Sequence, residues 1–503
     1  VNADDPARPR VRRTRLHDLL RRALDLEAPA FPDVEVLGVA QQVDRVGPGV
    51  VFVARVGAQV DAHRFVPEAI ARGAVCIVGT RPTPATLAVP YVRVDDDRWA
   101  TSALAAAFHD RPADALTVAG VTGTDGKTTT AALLHHLLQG EAEATHASLL
   151  SSALVRVGRA AGQLEGHFTT PEATEVQAHL AAARDRGARV AVVEASSHAA
   201  TLQRLAHVSF DLLVWTNLSP EHLDHHGSFE AYREAKLSLV RRAAAAVLHR
   251  DDPNYAAFAG AAAHIVATYG LEATADVRAD AIDAEPGALR FDLLAEGGRW
   301  RARLPMVGSY NVLNALAALA AARHLGVPWA TGVARLATFG GVPGRMQVVA
   351  SEPFTVVVDF AHTPNALAKA LAALEPAPGG RRIVVVGAAG ERDPGKRAPL
   401  GAAATRGADL ALFTEEDHRS EPLDAILAAM AEGARSAGGI EGATFWVHPD
   451  RRAAIAAALR AARPGDVVLL AGKGHERTLE RGATALPWDE AAEAQRALSD
   501  LPH

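Results

Sequence analysis

The sequence predicts an α/β protein built in three parts, on three observations. Short runs of Val, Ile and Leu recur along the chain with alanine-rich stretches between them, the pattern of parallel strands joined by helices and buried on both faces. One run, Leu116-Thr-Val-Ala-Gly-Val121, leads into the glycine-rich stretch Thr122-Gly-Thr-Asp-Gly-Lys-Thr-Thr-Thr130, which reads as strand, turn and helix. The 503 residues, 49% apolar and 22% charged, suffice for about three separately cored domains.

Residues 1–22 carry several arginines but no continuous apolar core of the signal-peptide kind, so they read as a tail running into a first helix. The strand Val50-Val-Phe-Val-Ala54, a helix over 65–72 and a strand over 75–78 then make a small α/β domain, 1–112. It is bounded by Asp110-Arg-Pro-Ala-Asp114, where the pattern breaks. The second domain, 113–344, holds buried-type strands at 116–121, 190–193 and 212–215, hence a mainly parallel sheet, and a strong helix over 311–325. The third, 345–503, begins after Gly341-Val-Pro-Gly-Arg345. Its strands at 355–359, 382–386, 410–413 and 466–470 alternate with alanine-rich helices, a doubly wound, Rossmann-like order. Two alanine-rich segments, 240–247 and 452–462, both read as helix.

Composition removes several function classes. A net charge of −6 gives no bulk electrostatic case for nucleic acid or an anionic membrane. No apolar stretch approaches the roughly 20 residues of a membrane span. The single cysteine, Cys76, lies in an apolar run and rules out a disulfide framework. The basic residues are lopsided: only five lysines occur, Lys127, Lys236, Lys369, Lys396 and Lys473, against 52 basic residues in all. An arginine-biased genome explains the scarcity, but four of the five sit in dense polar or glycine-rich clusters. A lysine is a compact charge whose amine can be neutralised or modified, work that arginine cannot do.

The stretch from Gly120 to Thr130 suits phosphate. Backbone N–H groups of a glycine-rich turn and a helix N-terminus would cradle the oxygens, with Lys127 on the terminal phosphates and the Thr128 hydroxyl on Mg²⁺. The strict P-loop pattern fails, since its first glycine would fall at Val121; the order here is G-x-x-G-T-x-G-K-T. This loop resembles that of the ATP-dependent Mur ligases, with Asp125 where they usually carry asparagine. Further motifs follow in family order: Phe168-Thr-Thr-Pro171, Val193-Glu-Ala-Ser-Ser-His198, Thr216-Asn-Leu-Ser-Pro-Glu-His-Leu-Asp-His-His-Gly227, Gly341 to Arg345, Val358-Asp-Phe-Ala-His-Thr-Pro364 and Gly472-Lys-Gly-His-Glu476. The resemblance covers nearly the whole chain and is to the MurE type, which adds a diamino acid to UDP-N-acetylmuramoyl-L-alanyl-D-glutamate.

The resemblance implies a cytoplasmic, monomeric ligase with a UDP-substrate-binding first domain, a P-loop ATPase-like second and an amino-acid-binding third. ATP is its co-substrate and Mg²⁺ its metal. It implies ATP contacts at Gly123, Thr124, Gly126, Lys127, Thr128, Thr129, Asn311, Asn314, Arg345 and Asp359. Asn311 reads equally as a helix cap, and His362 as a structural histidine. It implies metal ligation by Thr128, Glu194, His222 and a carbamylated Lys236, and catalytic work for Lys127, Glu194, His222 and Lys236. Glu221, Asp224, His225 and His226 read one by one as a solvated loop. Thr169, Thr170, Ser196 and Arg204 match the UDP-peptide face, along with His198. The family's Asp-Ser-Arg triplet, which helps hold UDP, aligns with Gln42-Val43-Asp44.

For the incoming amino acid the resemblance implies Arg392, Glu416, Asp417, Arg419, Gly472 and Glu476. Enzymes taking meso-diaminopimelate usually carry D-N-P-R, whose asparagine and arginine hold the distal carboxylate; here the order is Glu416-Asp-His-Arg419. A distal carboxylate would meet Glu416, Asp417 and Glu476, whereas an ammonium would be welcome. L-ornithine or L-lysine is therefore expected ahead of meso-diaminopimelate, with Arg419 pairing with Asp417. Other readings are a folylpolyglutamate or cyanophycin type of ligase on the same fold, or a nucleotide-binding homologue without catalysis. The intact Lys127, Thr128, Glu194, His222 and Lys236 weigh against the last.

Overall fold

The computed structural model describes residues 12–27, 31–57, 60–82, 86–139, 147–158, 160–162, 169–285 and 287–501. The expected arginine-bearing tail lies mostly outside them; the first helix is Leu16–Leu24. The chain divides into two compact units, one running to Asp276 and including Ala317–Val327, the other Val277–Leu316 with Pro328 onward. Both are α/β, as the sequence predicts.

The first unit opens with a small parallel sheet of Gly38–Ala40, Val50–Ala54, Ala74–Gly79 and Tyr91–Arg93, in that order. Cys76 is buried there, and burial pushes its thiol up to about 12, so it is an inert core side chain. A second sheet sets Ala147–Leu150, Val190–Glu194, Thr117–Thr122, Phe210–Trp215, Ala243–His249 and Ile265–Gly270 side by side, all parallel. Its register pairs Glu194 with Val121 and Trp215 with Thr122, so three strands end at one level. That edge is where open α/β sheets bind ligands.

One expectation needs correction. Of the alanine-rich segments, 452–462 is helical (Arg451–Ala461), but 240–247 is not. The helix Phe229–Arg241 stops and Ala243–His249 becomes a strand between two parallel neighbours. Ala243 and Ala246 are buried in the core of Trp215, Leu248 and Phe258, and Ala245 is buried as well. Alanine's helix propensity is a fraction of a kcal/mol per residue, and burial between two strands outweighs it.

The second unit carries a doubly wound sheet ordered Gln347–Ala350, Thr355–Asp359, Val467–Ala471, Arg382–Val386, Leu410–Phe413 and Phe445–Val447. All pairs are parallel except the first. Each face has its own apolar core, one around Leu367, Leu400 and Met430, the other around Ile455, Leu459 and Trp488. An antiparallel trio, Val277–Glu285, Ala288–Ala295 and Gly298–Leu304, belongs to this unit too. Among the described residues no helix is long and apolar enough to cross a membrane.

The second unit contains an ion pair with both side chains at 0% exposure, Arg451 and Glu490, 2.7 Å apart. Arg451 also donates to the carbonyls of Glu415 and Ala471, tying two strand ends together. Arg451→Met should lower the unfolding free energy by about 3–5 kcal/mol in urea titration, because it strands a buried carboxylate. Adding Glu490→Leu should recover much of that loss; equal losses in the single and double variants would contradict the assignment.

Candidate active site

The first unit gathers the phosphate-loop residues at the carboxyl ends of its central strands. Gly126 sits in the left-handed region (φ 80°) and caps the helix Lys127–Leu138. Thr128 and Thr129 are buried in its first turn. Lys127 Nζ donates to the Thr124 carbonyl at 2.7 Å. Gly123, at φ 152°, admits no side chain: a Cβ there would lie 1.8 Å from Thr216 Oγ1. The loop is fixed from below by Thr216, whose hydroxyl donates to the Asp125 carbonyl at 2.7 Å, and by Asn217, which accepts from Asp125 N–H at 2.9 Å.

Glu194 ends its strand, as expected, and is buried. Its carboxylate accepts from Thr128 Oγ1 at 2.9 Å and from Ser152 N–H at 2.9 Å. Thr128 and Glu194 therefore present hard oxygen donors side by side, the chemistry Mg²⁺ prefers. Among the described residues no group of three or more His, Cys, Asp and Glu side chains could cage a metal alone. A site of one carboxylate and one hydroxyl, completed by substrate phosphates, fits Mg²⁺ better than a transition metal.

Lys236 is not a surface lysine. It is 1% exposed, and its Nζ donates to the Gly123 carbonyl at 2.6 Å and lies 4.6 Å above the Tyr232 ring. Burial, and secondarily the charge of Lys127, push its pKa well below the usual lysine value. Tyr232 shares a hydrogen bond with Thr124 Oγ1 at 2.9 Å, and burial raises its hydroxyl pKa. His222, by contrast, is exposed, 3.7 Å from Glu221, in a left-handed conformation.

The residues implied for the UDP-peptide adjoin this cluster. Thr170 Oγ1 donates to the Glu194 carbonyl at 2.7 Å and accepts from Ser196 N–H at 3.0 Å. Thr169 is partly exposed beside it. Arg204 is buried, donating to the Thr170 carbonyl at 2.9 Å and to Glu172 at 2.6 Å. Arg55, from the first sheet, reaches the other oxygen of Glu172 at 2.7 Å. Burial acts to raise the Glu172 pKa, but Arg55 and Arg204 outweigh it and hold the carboxylate ionised. His198 stacks on His225 at 4.0 Å; burial, then the nearby His225, His222 and His226, push it down to about 4, so it is neutral. Sequence reasoning missed Ser152 and Glu172. Their signals were faint: a serine pair after an apolar run, and a glutamate after Thr-Thr-Pro.

The second unit holds the other implied residues. Asn311 and Asn314 are buried within the helix Tyr310–His324 and linked at 2.8 Å; Asn311 also donates to the Val307 carbonyl. Asp359 ends its strand and accepts from the N–H groups of Met346 and Ala361. Burial raises its pKa, against the pull of Arg345 and these two bonds. Arg345 lies 5.0 Å over the Phe360 ring, and Phe360 meets His475 at 5.1 Å. His362 is largely buried and engages the Phe360 carbonyl, which fits the structural alternative.

A cluster of charged side chains forms where the loops after Leu410–Phe413 and Val467–Ala471 meet. Lys473, at 0% exposure, bridges Asp417 at 2.8 Å and Glu476 at 2.6 Å. Arg419 does not chiefly pair with Asp417 as expected: that separation is 4.0 Å, whereas Glu480 lies 2.7 Å away. The reason is local. Asp417 already faces Lys473, and the strand Thr478–Arg481 runs alongside Arg419 through backbone bonds. Glu416 is buried, and its Oε2 has no hydrogen-bond partner. It faces Gly472, where a Cβ would lie 2.7 Å from that oxygen. Burial first, with Glu476 adding, pushes Glu416 up to about 7 against Arg451, Lys473 and Lys396. Arg392 is exposed on the loop after Arg382–Val386.

Known proteins resemble this chain over nearly its whole length. The Mur ligase middle domain matches residues 121–322, and the Mur ligase glutamate ligase domain matches residues 344–474. A UDP-N-acetylmuramyl-tripeptide synthetase of Deinococcus radiodurans is 47% identical over 97% of this chain and 100% of its own. A UDP-N-acetylmuramoyl-L-alanyl-D-glutamate--2,6-diaminopimelate ligase of Gloeobacter violaceus is 39% identical over 96% and 98%. A solved structure of a ligase with that same name has a TM-score of 0.66 at 29% identity, over 95% of this chain and 98% of that one. Thermotoga maritima MurF in complex with ADP, with TM-score 0.59 and 23% identity over 91% and 96%, shares the fold. The chain belongs to the Mur ligase family. It is an ATP-dependent, amide-forming ligase of peptidoglycan synthesis.

Gly123→Ala should weaken nucleotide binding at least about tenfold, since the methyl group displaces Thr216 and with it the loop. Titration of a fluorescent ATP analogue measures this; unchanged affinity would show that the loop does not hold phosphate.

Proposed function

We propose that this protein joins a diamino acid, L-ornithine or L-lysine, to the D-glutamate carboxylate of UDP-N-acetylmuramoyl-L-alanyl-D-glutamate. The carboxylate takes the γ-phosphoryl group of ATP, releasing ADP. The donor's amine then attacks the acyl phosphate, loses a proton and expels phosphate. The three-part division 1–112, 113–344 and 345–503 goes with this reading, as UDP-peptide, ATP and amino-acid domains of a cytoplasmic monomer.

Phosphoryl transfer between anions needs charge neutralisation and positioning above all. Lys127 and the helix N-terminus behind it supply fixed positive potential for the phosphates. Thr128 and Glu194 would hold Mg²⁺, and His222 a second Mg²⁺, whose charge would offset that of the phosphates. Thr170, Ser196 and Arg204 present the acceptor peptide; Glu172 keeps Arg204 aimed. Asn311 and Asn314 take the adenine, and Arg345 and Asp359 the phosphates and ribose.

Lys236 carries the catalytic reading, because its amine is buried and held toward neutrality by its surroundings. A neutral amine is the form that adds CO₂, releasing a proton to solvent, and the resulting carbamate would be a carboxylate able to serve as a further oxygen ligand for Mg²⁺. Lys236→Arg should abolish turnover, and Lys236→Ala should regain activity with added formate or acetate. Near-normal turnover of Lys236→Arg would refute the carbamate.

The donor rests on one observation: Glu416 Oε2 is a buried acceptor without a partner, while Lys473 and Arg419 are committed to carboxylates of the protein. Such a pocket favours an ammonium over a carboxylate. Arg392 remains for the α-carboxylate that all donors share. The diaminopimelate ligases among the relatives favour meso-diaminopimelate as the second reading. Mass spectrometry of the UDP-linked product from a mixture of L-lysine, L-ornithine and meso-diaminopimelate decides between them. With the preferred donor, KM should fall as pH rises from about 6 to 8, because Glu416, at about 7, must lose its proton to receive the ammonium. A flat KM over that range would remove Glu416 from the amine site.

A further inference from the structure

We propose that Glu480 is a specificity-determining residue: it occupies Arg419 from within and so denies the pocket a receptor for a second carboxylate. The inference rests on the donor reading above and extends it to a residue on a different element, the hairpin Thr478–Arg481 and Thr484–Pro487. Of the asparagine and arginine that the resemblance assigns to a distal carboxylate, this chain keeps only Arg419, so its partners decide whether it can do that work. All three of its nitrogens face acceptors of the protein. Nε donates to Glu480 Oε2 at 2.7 Å, Nη1 to the Gly390 carbonyl at 2.7 Å, and Nη2 lies 4.0 Å from Asp417 Oδ2. The backbone locks this arrangement. Arg419 N–H bonds the Glu480 carbonyl and Gly482 N–H bonds the Arg419 carbonyl, so Arg419 is bridged to the hairpin while held at φ 52°.

The neighbouring cations are committed as well. Lys473 serves Asp417 and Glu476. Arg451 serves Glu490, and Arg481 serves Glu415 at 2.5 Å. Asp417, Glu476 and Glu480 occupy Lys473 and Arg419, and Glu416 with its open oxygen adds a fourth carboxylate to these two cations; of the other cations acting on Glu416, Arg451 is matched by Glu490 and Lys396 offsets it in part. A donor ending in an ammonium reduces that excess, and one ending in a carboxylate deepens it. The Arg419–Glu480 pair is the adjustable part. Glu480 is one-third exposed and comes from outside the buried Lys473 node, so its charge can be removed without unpairing a buried cation.

Glu480→Gln keeps the shape and removes the charge; Glu480→Ala also clears the space beside the guanidinium. Both should raise the ratio of kcat/KM for meso-diaminopimelate over L-ornithine by about tenfold or more, through a lower KM for meso-diaminopimelate. A merely structural role would lower both donors together and leave the ratio unmoved. Circular dichroism establishes that each variant is folded. If the wild type prefers L-ornithine or L-lysine and neither folded variant shifts the ratio, the role of Glu480 is overturned and the donor reading stands. If the wild type itself prefers meso-diaminopimelate, the donor reading fails, and this inference with it.

Discussion

A buried lysine resting on the carbonyl of Gly123 sets the terms for the first unit. Lys236 comes from the helix Phe229–Arg241 and crosses to a loop more than a hundred residues earlier in sequence. An ammonium at that depth is unfavourable unless something anionic answers it. The loop it touches is built to receive phosphate, with Lys127 a few residues on. Burial, and secondarily the charge of Lys127, disfavours protonation of Lys236. The protein thus keeps a reactive, weakly basic amine beside a carboxylate and a hydroxyl. The strands' common register makes this possible: Glu194, Thr122 and Trp215 end at one level, and loops leaving that level have nowhere else to converge.

The second unit solves a different problem with the same topology. Its strands also end together, Asp359 opposite Ala471, but the loops beyond them carry paired charges rather than open backbone. Lys473, itself fully buried, holds Asp417 and Glu476, and Arg451 ties the ends of two strands. Such pairs contribute little net stability compared with apolar packing. What they fix is geometry, beside which Glu416 keeps a buried oxygen, Oε2, without a hydrogen-bond partner. Gly472 completes the arrangement, because any side chain there would fill the space in front of that oxygen.

Much of this was legible in sequence because it depends on local pattern. Apolar runs and their breaks located the sheet strands, and Glu194 and Asp359 fell at strand ends as expected. Lysine scarcity pointed to Lys127, Lys236, Lys396 and Lys473; the amines of Lys127, Lys236 and Lys473 are engaged by buried acceptors, whereas Lys396 is half-buried at the start of a helix. Two kinds of information were not legible. Alanine at 243–246 carries no signal of the neighbours that make it a strand, since sheet pairing is non-local. Partners brought together by folding, such as Glu480 with Arg419 or Arg55 with Glu172, lie 61 and 117 residues apart in sequence.

That last class of contact bears most on what distinguishes one ligase of this family from another. The nucleotide chemistry is shared, so its residues lie in motifs with fixed spacing. Choice of amine donor depends instead on whether a cation is left free, which is a property of pairs. Asp417 in place of asparagine suggests by itself a repulsive wall, yet in the structure its charge is answered by Lys473. Arg419 suggests by itself a carboxylate receptor, yet it is answered by Glu480. Reading either residue alone gives the wrong weight to it. Lys473 and Arg419 are each answered by carboxylates of the protein while Glu416 keeps one open oxygen, and the proposed preference for a donor ending in an ammonium rests on that pairing as a whole, not on any one residue.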